Sequence, residues 1–563
     1  MSANLIGVPY NHGRVSSTDG IFDDSNHFNG RIPGLHNTGI LSRVSLAFLH
    51  YQYVVFGLII FWVVFDMTAV ALHTPLGTDE LMARVSAESS SMSRMLTLLR
   101  DQPVNVDAPV FPILAYLAAK LPLPIDFAIR VPAILAICVA VFAIFALVRD
   151  QLGVAQGFLA ATFLSINAFT LFGARARPYA FLLAAVALVL FCWQRAIRTN
   201  GKRRVWLVAL FCSCALALLS HYFAAVSIFA VVVGEITRGF LRRKMDWPVL
   251  VAISLAGLAF LPVYLTFAPA GQPYRAHPFD RLFGLDLIQT YIQTVNFHGS
   301  LTAMAMAGLA ALFGARKKKH SSWSAPIWVA AVLLTVGPLF LFAAGQIYTH
   351  TYATRYGICA VIGTVLILSA IVNFIAGGNQ KIVLLACIVT FAFDQGKFVT
   401  LSRQPDYAPA SLWANSSPRL LDQHPNLPLI TPDFDYWMRI QFYSPSWLSS
   451  RVIMMTNPQS MLKFRDSENP ALATLAIHRW TGWPLVDYYE FTKSHRQFLM
   501  YGEYWLYDAL HQDHAKIRLL DYLGPYRLYL VELPQTSPLN QLDKGRQLPS
   551  SSKNLLSFNH VPE

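Results

Sequence analysis

Apolar runs of membrane-spanning length recur from about residue 46 to residue 398. A chain with so many of them has few folding options. In hydrocarbon every backbone N–H and C=O must be satisfied within the protein, which leaves the helical bundle for runs of roughly 20 residues. Eleven spans are expected, at about 46–72, 130–148, 154–173, 179–196, 205–220, 222–237, 248–267, 301–314, 325–345, 356–375 and 382–398. Pro262 and Pro338 interrupt two of them. Composition agrees: 55% of residues are hydrophobic, 13% are charged and mean hydropathy is +0.43. A water-soluble chain carries about a quarter charged residues, so the length of 563 residues does not mean a row of soluble domains.

The formal net charge is +13, and its distribution orients the bundle. Arg195, Arg198, Lys202, Arg203 and Arg204 follow the fourth span. Arg238, Arg242, Arg243 and Lys244 follow the sixth, and Arg316, Lys317, Lys318 and Lys319 the eighth. Basic loops stay in the cytoplasm, so the N-terminus lies inside and the segment after the last span outside. This reading sets aside nucleic acid as a partner and makes the bilayer one. The apolar segment 109–121 is too short to cross. It is expected to lie at the outer interface, in a first outer loop running from about 73 to 127 with surface helices over 79–100 and 109–121.

Three parts follow: a polar, flexible cytoplasmic tail at 1–45, the transmembrane domain at 46–398, and a water-facing domain at 399–563. In the last part PLITP, SRVIMM, QFLMYG, KIRLLDY and YRLYLVEL read as strands and YWLYDALHQDHA as a helix, which suggests a small α/β domain. The aromatic stretch 479–507 suits either a core or a binding surface. The fold class is therefore an all-α polytopic membrane bundle with a C-terminal extracytoplasmic α/β domain. The six cysteines lie in apolar stretches without CxxC spacing, which argues against a disulfide scaffold or a structural zinc.

Chemistry concentrates at the expected outer rim. The first loop opens HTPLGTDELMARV, with Asp79 and Glu80 a few residues beyond the first span. Acids so close to lipid must reach water or a partner. The first reading is capping of a loop helix by Thr78 or Asp79; general-base catalysis is the functional one, and the two are compatible. Arg175 and Arg177 in FGARARPYAF sit outside, against the positive-inside rule. They fit snorkelling, salt bridging or anion binding. Arg130 opens the second span, His221 and Tyr222 join the fifth and sixth, and His350, Arg355 and Tyr356 precede the tenth. Asp107 precedes the segment 109–121. Arginines that neutralise a departing phosphate, beside a carboxylate that takes a hydroxyl proton, would transfer a group from a lipid phosphate. No cofactor or metal is required for this, and help from a divalent cation stays open.

This ordered set resembles the GT-C superfamily of integral-membrane glycosyltransferases. The likeness is greatest to the bacterial branch of rhizobial lipopolysaccharide sugar transferases, aminoarabinose transferases and protein O-mannosyltransferases. TDE at 78–80 resembles the acidic motif of the first outer loop, and DAPVFPILAYLAAKL at 107–121 the HPPL-type segment. FAIRVPAIL at 127–135, RARPYAFLL at 175–183, HYFA at 221–224 and RYG at 355–357 follow in family order. The resemblance implies inverting transfer from a polyprenyl-phosphate sugar to an acceptor hydroxyl on the outer face of a bacterial cytoplasmic membrane. The acceptor would be a glycolipid, a glycan or a protein. Asp79 would be the base with Glu80 as neighbour and backup, and Arg130, Arg175, Arg177 and Arg355 would hold the donor phosphate. Asp107, His221, Tyr222, His350 and Tyr356 are further substrate-site candidates. Two departures stand out: Asp107 replaces the family histidine, and Arg175 replaces the glutamate of EARPY. A lipid-linked sugar flippase or other transporter, and a non-enzymatic envelope assembly factor, are the alternatives. A transporter would carry mid-span polar groups and paired repeats, which this sequence scarcely shows.

Overall fold

The computed structural model describes residues 51–104, 108–167, 175–199, 201–276, 284–295, 323–349, 352–402, 421–523 and 526–534, with scattered positions between 301 and 312. The 1–45 tail, Asp107, His350 and the basic run 316–319 lie outside the described residues.

The helices of the membrane part include α1 (Gln52–His73), α2 (Thr78–Ala87), α3 (Met92–Asp101), α4 (Val110–Ala118), α5 (Val131–Leu152), α6 (Val154–Ser165), α7 (Tyr179–Arg198), α8 (Arg203–Ser220), α9 (Ala224–Arg242), α10 (Trp247–Phe267), α11 (Ala325–Ala344), α12 (Ala360–Ile375) and α13 (Gln380–Ser402). Among the described residues seven are long and apolar enough to cross a membrane: α1, α5 and α7 to α11. Three expected spans are shorter apolar helices, at Val154–Ser165, Ala360–Ile375 and Gln380–Ala392. The expected span at 301–314 falls largely outside the described residues. Pro262 and Pro338 sit inside α10 and α11 without ending either helix.

Small residues let these helices approach closely, the usual source of packing where lipid is as apolar as leucine. Gly363 on α12 is an example, since a Cβ there would lie 2.4 Å from the Ala331 carbonyl of α11. Gly153 turns α5 into α6 at φ +113°, and a Cβ would lie 2.7 Å from the Gln380 amide nitrogen. A cluster of buried charges lies within the apolar interior. Glu235 on α9 is wholly buried and accepts from Trp193 Nε1 at 2.7 Å and from Arg238 Nη2 at 2.6 Å. Arg238 also reaches Asp246 at 2.6 Å, so the buried charges are matched.

The expected first surface helix is two helices. The chain breaks after Ala87, and Ser91 restarts it by accepting from the Arg94 N–H at 3.1 Å. The nine-residue α4 rises only about 14 Å and buries Phe111, Pro112, Ala115 and Ala118, which fits a helix that packs under the loop rather than crossing.

All five expected strands of the C-terminal part form, joined by a sixth over Leu485–Asp487, inside the aromatic stretch 479–507. With strands numbered along the chain, β1 (Leu429–Thr431), β2 (Val452–Thr456), β3 (Leu485–Asp487), β4 (Gln497–Tyr501), β5 (Lys516–Leu523) and β6 (Tyr526–Glu532) run in the order β3-β2-β1-β4-β6-β5. The first four are parallel and β6 with β5 forms an antiparallel edge. Helices cover the crossovers, as parallel strands require. The aromatic stretch 479–507 supplies core: Tyr488, Tyr501 and Trp505 are fully buried.

Candidate active site

The loop TDE folds as the first turn of α2. Gly77, in extended conformation, is its N-cap, and the Glu80 carboxylate turns back to accept the Gly77 N–H at 3.0 Å. Capping thus falls to Glu80, not to Thr78 or Asp79. Successive helical residues point about 100° apart, so the two adjacent acids have different fates.

Glu80 is 2% exposed and Arg130 3%. Arg130 Nε and Nη2 each donate to a Glu80 oxygen at 2.8 Å. Arg130 Nη1 donates to the carbonyls of Ala71 and Thr74, both at 2.8 Å, and Nη2 to that of Pro75 at 3.1 Å. The five N–H donors of a guanidinium are all engaged within the protein. Glu80 Oε1 also accepts the Ala176 N–H at 2.8 Å. Burial alone would raise the Glu80 pKa, but Arg130 and the backbone donors of Gly77 and Ala176 outweigh it and hold the carboxyl below its usual range. Two expectations change here. Glu80 is a buried anchor rather than a backup base, and Arg130 has no donor left for a phosphate. Together they clamp the end of α1, the start of α2 and the strap before α7.

Asp79 keeps 36% of its side chain exposed and is ion-paired with Arg177 Nη1. Arg177 is 8% exposed and lies 5.1 Å from the Tyr179 ring centroid. Arg175 is exposed yet reaches the same turn: a methyl placed on Gly77 would lie 3.7 Å from Arg175 Nη1 and 3.8 Å from Glu80 Oε2.

His221 ends α8 and joins the group through its ring. It stands 5.5 Å from Tyr179 and 6.0 Å from Tyr356. Its Nδ1 accepts the Phe223 N–H at 3.2 Å. Burial, with Arg177 and Arg355 nearby, pushes its pKa down to about 3, so the imidazole is neutral. Arg355 stacks 5.6 Å from the Tyr356 ring. The structure thus brings Asp79, Arg175, Arg177, His221, Arg355 and Tyr356 to one rim. Tyr222 departs from them; its ring packs on Phe260 and Tyr264 of α10 at 6.2 and 5.7 Å. The described residues hold no group of three metal-ligating side chains.

Residues that motif reading missed come from the C-terminal domain. The helix α14 (Phe434–Tyr443) lies against α2. Thr78 Oγ1 donates to Asp435, one position before Asp79. Tyr443 Oη accepts the Leu76 N–H at 2.9 Å and donates to Asp126 at 2.7 Å. Asp126 also pairs with Arg84 at 2.7 Å, and Arg84 covers the Phe442 ring at 4.4 Å. Further along, Trp480 Nε1 donates to the Gln102 carbonyl at 3.0 Å. No short-range signal marks these partners, which lie more than 300 positions apart in the chain.

The bundle with its clamped first loop and appended sheet domain matches known structures. ArnT from Cupriavidus metallidurans in the apo state aligns at TM-score 0.52 and 15% identity, covering 85% of this chain and 97% of that one. The chain has the fold of this ArnT. The same ArnT bound to undecaprenyl phosphate aligns at TM-score 0.51 and 14% identity, over 85% of this chain and 98% of the other. Residues 101–265 of this chain match the family model described as dolichyl-phosphate-mannose-protein mannosyltransferase. That stretch includes Arg130, Arg175, Arg177 and His221. Comparison with the curated protein sequences gives no match.

Proposed function

We propose that this chain is an inverting glycosyltransferase that moves a sugar from a polyprenyl-phosphate donor to an acceptor hydroxyl on the outer face of a bacterial cytoplasmic membrane. The observation that carries the proposal is Asp79: a solvent-reaching carboxylate paired with Arg177, on a rim that also holds Arg175, Arg355 and a neutral His221. The ArnT structure with undecaprenyl phosphate, of the same fold, supports the lipid donor. The C-terminal domain would then lie outside the cytoplasm, against the first loop, and help shape the acceptor site.

In the proposed step the Asp79 carboxylate accepts the proton of the acceptor hydroxyl. The hydroxyl oxygen forms a bond to the anomeric carbon from the face opposite the phosphate. The bond between that carbon and the phosphate oxygen breaks, and its electron pair leaves with the phosphate. Arg355, Arg175 and Arg177 meet the charge that grows there. Pairing with Arg177 orients Asp79, and the Glu80–Arg130 clamp holds the turn that carries it.

The experiment is transfer by the purified protein from a panel of polyprenyl-phosphate sugars, with Asp79→Asn beside the wild type. The expected result is product of inverted anomeric configuration, lost in the variant. Full activity of Asp79→Asn would remove Asp79 as the base, and retention of configuration would remove the single-displacement mechanism.

A further inference from the structure

Three successive side chains at the start of α2 leave the helix about 100° apart and meet three different parts of the protein. Glu80 pairs with Arg130 at the start of α5, and Asp79 with Arg177 before α7. Thr78, half-buried, donates its hydroxyl to Asp435 of α14, 357 positions away and in the C-terminal domain. The first two anchors belong to the bundle. The third does not, and it holds the residue directly before Asp79.

Asp435 is itself fixed. Arg439 Nε donates to both of its oxygens at 3.1 Å, so a second carboxylate comes to the Asp79 turn with its own cation. Asp433 caps α14 by accepting the Tyr436 N–H at 3.2 Å. Trp437, wholly buried, packs edge-on against Trp483 with ring centres 5.6 Å apart. Asp435, Arg439 and Tyr443 are spaced four apart, so they share one face of the helix. At the far end of that face Tyr443 accepts the Leu76 N–H at 2.9 Å. This face of α14 therefore holds the turn on both sides of its Gly77 cap, at Leu76 and at Thr78. The first turn of a helix has few bonds of its own. Here the amides of Glu80 and Leu81 both rest on the Gly77 carbonyl, at 2.9 and 2.8 Å. A hydrogen bond to a carboxylate is among the strong ones, so the Thr78 contact adds much to so short a segment.

We propose that Asp435 is a positioning residue for Asp79, acting from the C-terminal domain through the Thr78 hydroxyl. The inference rests on the proposed function, in which Asp79 takes the proton of the acceptor hydroxyl. A base must stand within hydrogen-bond reach of that proton, and a displacement of about 1 Å can cost about 100-fold in rate. Docking of the sheet domain on the first loop is then part of the catalytic geometry.

The test compares full-length wild type, Thr78→Val, Thr78→Ser, Asp435→Ala and the double variant Thr78→Val with Asp435→Ala. It reads transfer, binding of undecaprenyl phosphate, and hydrogen exchange of the Glu80 and Leu81 amides, which needs no substrate. The expected kcat falls about tenfold in Thr78→Val and in Asp435→Ala, falls no further in the double variant, and returns in Thr78→Ser. Undecaprenyl phosphate binding stays at the wild-type level, and exchange of the two amides rises about tenfold in Thr78→Val. Wild-type kcat and exchange in Thr78→Val, with Asp79→Asn inactive, overturn the positioning role and leave the proposed function standing. Undecaprenyl phosphate binding that weakens in step with kcat assigns Thr78 and Asp435 to the donor site and also overturns it. Full activity of Asp79→Asn instead removes the base on which the inference rests.

Discussion

Glu80 and Arg130, fifty positions apart, form a two-pronged ion pair with both contacts at 2.8 Å and both side chains almost wholly buried. Beside it, Asp79 reaches solvent and pairs with Arg177. Two neighbouring acids of one helical turn therefore do different work: one fixes the loop and the other faces the rim.

Breaking the clamp from one side should cost more than removing it whole. Arg130→Met leaves Glu80 buried without its counter-ion, a loss of about 3–5 kcal/mol. The double variant Glu80→Gln with Arg130→Met should recover part of it. Thermal unfolding of the purified variants reads both, and a double variant less stable than Arg130→Met would contradict the clamp.

Asp79→Asn should lower transfer at least about 100-fold, the scale of a lost general base, while leaving the thermal midpoint close to wild type because the side chain is half open. Loss of activity together with collapse of stability would place Asp79 in the scaffold instead.

Arg355→Ala should raise the KM for the lipid donor about tenfold, the worth of one charge-assisted hydrogen bond, and leave the KM for the acceptor near wild type. Arg175→Ala should do the same. Donor titrations at fixed acceptor check this, and an unchanged donor KM in both variants would refute the phosphate role.

The depressed His221 pKa has a sign. The folded protein binds this proton less readily than the unfolded chain, whose histidine titrates near 6.5. The stability tied to it is full above about pH 6.5 and is lost as pH falls toward 3. His221→Gln should flatten the loss of thermal midpoint between about pH 7.5 and 5.5, a window chosen above ordinary carboxylates. An identical slope in the variant would place the sensitivity elsewhere.

Tyr443→Phe removes one hydroxyl that serves both the Leu76 N–H and Asp126. A buried donor left unpaired costs about 1–3 kcal/mol. The expected outcome is faster proteolysis at the junction of α14 with the first loop and lower kcat, both relieved on restoring tyrosine. Wild-type protease resistance and kcat would show that the contact does not hold the two parts together.

The bundle was legible because each span is a local property: about 20 apolar residues must be helical in lipid, whatever their neighbours. The five expected strands were legible for a similar reason, since each is a short apolar run, such as VIMMT of β2 or QFLMY of β4. β3 was not, because Leu485–Asp487 lies inside the aromatic stretch 479–507, which reads as core or binding surface rather than as a strand. The rim motifs could be found one by one, yet Tyr222 sits beside His221 in sequence and packs on α10. Adjacency along the chain does not say which neighbour a side chain will meet.

The sequence by itself determined a multi-span helical chain, clusters of basic residues between the spans, and an acid with several arginines at span ends. Only the tertiary structure decided that Arg130 is used up on Glu80 and three carbonyls while Arg177 meets Asp79. It alone also set helix α14 against the TDE turn. The physical reason is that charge type is written in the chain, whereas burial and partner depend on helices that meet from hundreds of residues away. In low dielectric, the partner decides whether a charge is scaffold or site.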